Sequence, residues 1–174
     1  MRKALVFIFL PLALALPAMT CALVPATAGA VTTPTRAERL VIAAVNSQRT
    51  ARGLAKVSFK ASLTRAARAH ARELARRRLL SHVSLNGWTV GPRVRHYGYT
   101  SRGYRRWTVG ETIARATNGS AVATPRAIVI LWMGSQAHRQ VLLTARMRNI
   151  GVGIAVGGDG RRYFVVDLGR RVKR

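Results

Sequence analysis

Apolar and polar positions follow a period that changes along the chain, and the changes mark its elements. From Ala37 to Ala51 the small or apolar residues Ala37, Leu40, Val41, Ala44, Val45 and Ala51 recur at mostly helical spacing, and Gly53 follows as a stop. A second stripe, Leu63, Ala66, Ala67, His70, Ala71 and Leu74, predicts a helix to about Arg78, with Ser62 as its N-cap and arginines opposite. Between Trp88 and Trp107 only a short helix near Arg93 to His96 is expected. Thr108 to Ala114 reads as a strand, in which alternation sets Glu111 on the side of Val109 and Ile113. A carboxylate on an apolar face needs a partner, because an unpaired buried charge is very costly. Thr124-Pro125 is a good cap and first-turn pair for a helix through Ala127 to Met133, apolar on nearly every side and so expected deep in the domain. A further short helix is expected after His138. Ile150, Val152, Ile154 and Val156 then alternate with glycine or alanine, Gly157 to Gly160 turn the chain, and Tyr163 to Leu168 return as a second strand. Helices first and a hairpin last give an α+β class, with helices packed on an antiparallel sheet.

The 174 residues suit one domain with a true core. Residues 1–30 read as a secretory signal: Arg2 and Lys3, an apolar stretch from Ala4 to about Ala18, then small residues at Ala28-Gly29-Ala30. A membrane anchor is the alternative, but Pro11, Pro17 and the short run oppose it, and no other run is long enough to span a bilayer. Cys21 also raises a lipoprotein, although Ala18-Met19-Thr20 lacks the usual leucine and small-residue pattern. Cleavage after Ala30 removes Cys21, the single cysteine, and with it disulfides, thiolate nucleophiles and cysteine-ligated zinc. A linker over 31–36, a folded domain over 37–169 and a basic tail over 170–174 complete the division.

The formal charge is +25. Arginine supplies nearly all of it, in Arg76 to Arg78, Arg102 with Arg105 and Arg106, Arg161 with Arg162, and Arg170 to Arg174. Such a field suits anionic partners: envelope polymers, lipid surfaces or, nonspecifically, nucleic acid. A merely solvated arginine-rich surface is the plainer reading. No nucleic-acid motif is present and the charges are not interleaved with aromatics, which opposes base-specific recognition.

Against this background acids and histidines are scarce, five and four in the chain. His82 lies in Ser81-His82-Val83-Ser84, Glu111 in Gly110-Glu111-Thr112-Ile113, and His138 in the phrase from Trp132 to Arg139. Imidazole and carboxylate are the groups that hold a divalent metal or move protons near neutral pH. His82, Glu111 and His138 are therefore the candidate metal ligands, for a weakly bound divalent cation such as zinc. Ser135, three residues before His138, adds a conceivable Ser-His-Glu triad without a nucleophile-elbow pattern. His70, on an apolar stripe, reads as a hydrogen-bonded core histidine, and His96 as exposed.

These phrases, in order, resemble the CAP superfamily of cysteine-rich secretory, antigen-five and pathogenesis-related proteins, in its compact bacterial secreted branch. The likeness runs from about Ala37 to Gly169. It rests on Val45-Asn46 with Arg49 and Gly53-Leu54, Ala69-His70-Ala71, Ser81 to Ser84, Gly98-Tyr99, Gly110 to Ile113, Trp132 to Ser135, His138-Arg139, Ile150 to Gly153 and Val166 to Gly169. The resemblance implies a three-layer α-β-α sandwich with a central antiparallel sheet, and a cleft of two histidines and two acids that binds a divalent cation in some members. His82, Glu111 and His138 match three of the four positions, and the second acid falls on Ser135. Thr112 and Ala137 depart from the usual asparagine and glycine. The combined expectation is a secreted, non-catalytic binding module, with an extracellular metal- or serine-dependent hydrolase as the alternative.

Overall fold

The computed structural model describes residues 32–173, so the expected signal segment, Cys21, Val31 and Arg174 lie outside the described residues. Thr35 accepts from the Glu38 amide, and the Glu38 carboxylate accepts in turn from the Thr35 amide. This reciprocal cap starts α1 at Arg36, one residue earlier than its apolar stripe, and α1 runs to Thr50. A two-residue strand, β1 (Ser58–Phe59), leads directly into α2 (Ala61–Arg77). Ser62 is not the cap of α2. The Lys60 amide donates to the Ile150 carbonyl across the β1 pairing, so the sheet fixes where the helix begins, and Ser62 is buried inside the first turn.

The short helix α3 (Val90–His96) precedes β2 (Tyr104–Thr117), which extends well beyond the expected strand at both ends. After a single 3-10 turn, α4 (Pro125–Gly134) starts at Thr124, whose hydroxyl accepts from the Ala127 amide. α5 (Gln136–Leu142) contains His138 rather than following it. The hairpin β3 (Asn149–Val156) and β4 (Arg161–Lys173) closes the fold. Residues 170–173 are not a tail: Arg170, Arg171 and Val172 pair with Thr108, Trp107 and Arg106 in the β2–β4 ladder.

Sheet order is β1-β3-β4-β2. The three long strands are antiparallel, as expected, while the β1 stub adds a parallel edge on β3. Cross-strand pairs assign the faces. Glu111, Ile113, Val165, Asp167, Gly151 and Gly153 lie toward α2, and Phe164, Val166, Leu168, Ile150 and Val152 lie toward α1, α4 and α5. α2 approaches β3 so closely that a Cβ on Gly151 or Gly153 would collide with the backbone at Leu63 or Ala67, which is why β3 alternates with glycine. The thicker core on the opposite face centres on Trp132, whose indole donates to the Ile113 carbonyl. α4 covers that core but is not itself deep. Ile128, Val129 and Trp132 are buried, whereas Ile130 and Leu131 are more than half exposed, because nothing among the described residues packs on the helix's outer side.

Candidate functional site

Helix α2 ends at Arg78 in the left-handed conformation, and the chain turns back along the sheet. His70, fully buried on α2, presents Nε2 to the Ser81 carbonyl at 2.8 Å. A carbonyl only accepts, so Nε2 carries the proton and Nδ1 is left to accept from the Ser84 hydroxyl at 3.3 Å. The Ser84 oxygen in turn accepts from Arg93 Nη1 at 2.9 Å. Burial, the largest influence, lowers the His70 pKa and keeps the ring neutral. His70 is thus the core histidine expected, and it also pins the loop one residue before His82.

Pinned in this way, His82 reaches Glu111, with Nδ1 2.8 Å from Oε1. Glu111 is buried on β2, its other oxygen is bonded to Arg93 Nη2, and His70 Nε2 lies 3.9 Å from it. Since the Glu111 carboxylate accepts, His82 donates from Nδ1 and its Nε2 has no partner among the described residues. The hydrogen bond to Glu111, ahead of the opposing effect of burial, raises the His82 pKa. The imidazole remains over half exposed (56%), so it lies at the surface and not in the core.

Directly across the ladder from Glu111 stands Asp167 on β4. It is completely buried, and neither oxygen has a hydrogen-bond partner among the described residues. Desolvation, then the negative charge of Glu111, hold its carboxyl well above the usual carboxylate range against the pull of Arg93. Asp167 therefore holds its proton to higher pH than a free carboxyl would, beside the single buried guanidinium of Arg93.

His138 sits on α5, partly exposed. Burial and then the charge of His82 lower its pKa. The structure joins His82 to Glu111 on β2, an edge strand of the sheet, while no hydrogen bond or ion pair among the described residues links His138 to either. Ser135 is the joint between α4 and α5; its hydroxyl makes no cap bond, and no hydrogen bond joins it to His138 among the described residues. His96 is exposed and stacks against Trp88 at 4.9 Å.

The fit to a cation differs from the expected three-ligand set. Both Glu111 oxygens are engaged, and no group of three His, Cys, Asp or Glu side chains among the described residues is gathered for a metal. Glu111 is better read as the group that orients His82, in the carboxylate–histidine arrangement that stands behind many metal-binding imidazoles. Two candidate ligands remain, His82 through Nε2 and His138. Arg93, Ser84 and Asp167 were not legible as site residues. Asp167 could have been found by the argument applied to Glu111, an acid alone in an apolar strand. Arg93 has no mark to separate it from the many other arginines.

Known proteins share this framework. Residues 42–168 match the family described as CAP, the cysteine-rich secretory protein family. The uncharacterized protein YkwD of Bacillus subtilis is 27% identical over 147 residues, 80% of this chain but 53% of that protein, so the chain spans about half the length of this relative. An outer surface protein of Borrelia burgdorferi superposes with a TM-score of 0.64 at 22% identity, over 76% of this chain and 91% of its own. An SCP-domain extracellular protein of Bacillus anthracis gives 0.62 at 20% identity, over 79% of this chain and 40% of its own. At those identities the solved structures speak for the fold, the α-β-α sandwich. With the family pattern matched from the middle of α1 into β4, this chain belongs to the cysteine-rich secretory protein family, in its bacterial branch.

Proposed function

We propose that the protein is an exported, non-catalytic binding module whose cleft holds a divalent cation weakly between His82 and His138. One observation carries this reading: Glu111, itself locked by Arg93, fixes His82 through Nδ1 and leaves Nε2 without a partner among the described residues, at a half-exposed ring. A bound cation would supply an electrostatic anchor for an anionic or carbonyl group, and the two imidazoles would hold it. Two protein ligands make a weak site, short of the three or four of typical zinc centres.

Export is supported by the signal-like first 30 residues and by the relatives named outer-surface and extracellular; no helix among the described residues is long and apolar enough to cross a membrane. The arginine-rich surface would keep the protein on anionic envelope polymers or lipids. The cation part is tested by metal analysis of protein purified without chelator, then by zinc titration calorimetry. Zinc should bind with about one equivalent, and His82→Ala or His138→Ala should each weaken it at least ~10-fold. Less than about a tenth of an equivalent, unchanged on adding zinc, would remove the cation from this reading.

A further inference from the structure

All five acids of the chain are committed. Glu38 pairs with Arg68, Glu73 with Arg77 and Glu111 with Arg93; Asp159 accepts from the Tyr163 hydroxyl, and Asp167 is buried. Among the described residues no side-chain carboxylate is therefore left to pair with any other cluster of guanidiniums. One such cluster lies at the far end of the β2–β4 ladder, where Arg105, Arg106, Thr108, Arg146, Arg170 and Val172 line a pocket of about 120 Å³.

The backbone builds this convergence. Tyr104 pairs with Lys173 and Arg106 with Val172, so Arg105 is an extra residue in β2, a β-bulge. A bulge sets two successive side chains against one on the partner strand, which lets Arg105 and Arg106 line the same pocket. Arg170 comes from β4 opposite Thr108, and Arg146 from the loop after α5. None of the four arginines makes an ion pair or side-chain hydrogen bond among the described residues. On the other face of the same ladder the cations are spent on rings: Arg171 lies 4.6 Å from Tyr99 and 4.4 Å from Tyr104, and Arg95 lies 5.3 Å from Trp107.

We infer that Arg105, Arg106, Arg146 and Arg170, with the Thr108 hydroxyl, form a binding site for a phosphate group. Four planar forks around so small a space match a tetrahedral oxyanion carrying more than one charge and several acceptor oxygens better than a single planar carboxylate. This deepens the anionic-surface part of the proposed function and is independent of the histidine cleft. The phosphate could be free, part of a polymer or a lipid headgroup.

The test is calorimetric titration of inorganic phosphate, with acetate as the carboxylate control, into three proteins: wild type, Arg105→Gln/Arg170→Gln, and Arg72→Gln/Arg76→Gln. The last loses the same charge from exposed positions on α2. Wild type should bind phosphate in preference to acetate. The pocket variant should lose at least ~10-fold and the control variant less than ~2-fold. An Arg146→Gln variant, altered only in the loop, should repeat the loss. Sedimentation with phosphatidylcholine vesicles, with and without phosphatidic acid, separates the sources. Pocket-dependent retention assigns a headgroup, phosphate binding without retention assigns a free or polymeric phosphate, and either supports the site. Equal loss in both double variants would overturn the pocket and leave a general basic surface. No phosphate binding and no vesicle retention by wild type would overturn both.

Discussion

Glu111 and Asp167 face one another across the β2–β4 ladder, and Arg93 is the cation buried with them. Because Asp167 keeps its proton to higher pH in the fold than in the unfolded chain, the native state binds more protons above about pH 4. That contribution to stability is fully present below the unfolded pKa and is lost as pH rises through the raised native one. Asp167→Asn, which cannot ionise, should therefore raise Tm relative to wild type, by an increment that grows as pH rises above about 4 in thermal melts. A constant increment would show that Asp167 is ionised throughout. Removing Arg93 acts in the opposite direction: Arg93→Met leaves the Glu111 carboxylate buried without its cation, and urea unfolding should show a loss of about 3–5 kcal/mol. Loss below about 1 kcal/mol would mean that water or another cation reaches Glu111. The His82–Glu111 pair was legible in the sequence because each is a rare residue type in its surroundings. Asp167 and Arg93 were not, since what makes them part of the site is a register and a buried contact.

Between elements, the decisive approach is that of α2 to β3. The apolar stripe of α2 and the alternation of β3 could both be read from spacing, and the stripe residues are all buried. What spacing could not convey is how close the two lie, or that pairing of β1 with β3 sets the first turn of α2 in place of a Ser62 cap. Gly153→Ala puts a methyl group into the Ala67 backbone and should cost at least about 1–3 kcal/mol, read from the urea midpoint, more if the helix must shift. Such a shift would also displace the loop that carries His82, so zinc affinity should fall with stability. Thr124→Ala, which removes the α4 cap far from the cleft, should cost about 1 kcal/mol and leave zinc binding unchanged. A matching loss of zinc binding in that variant would place α4 in the site. The exposure of Ile130 and Leu131 on α4 departs from the expectation because an all-apolar helix usually lies in a core, whereas the described residues cover only one side of this one.

At the scale of the molecule, a scarce set of acids is spent on structure and a large excess of arginine remains outside. The fold class and layer order were legible from element order. The added parallel edge at β1 and the extension of β4 through Lys173 were not, because both depend on strand pairings distant in sequence. The resulting molecule carries the His82–Glu111 pair at β2 and an arginine pocket nearer that strand's start. The most direct measurement of the cleft is NMR of the four histidine side chains, labelled with ¹⁵N, during addition of zinc near pH 7. The His82 and His138 ring signals should shift together with the same apparent affinity, while His70 and His96 stay in place. Glu111→Gln should weaken both shifts roughly 10- to 100-fold. Shifts confined to His96, different midpoints for His82 and His138, or no change at equimolar zinc would contradict a shared cation site.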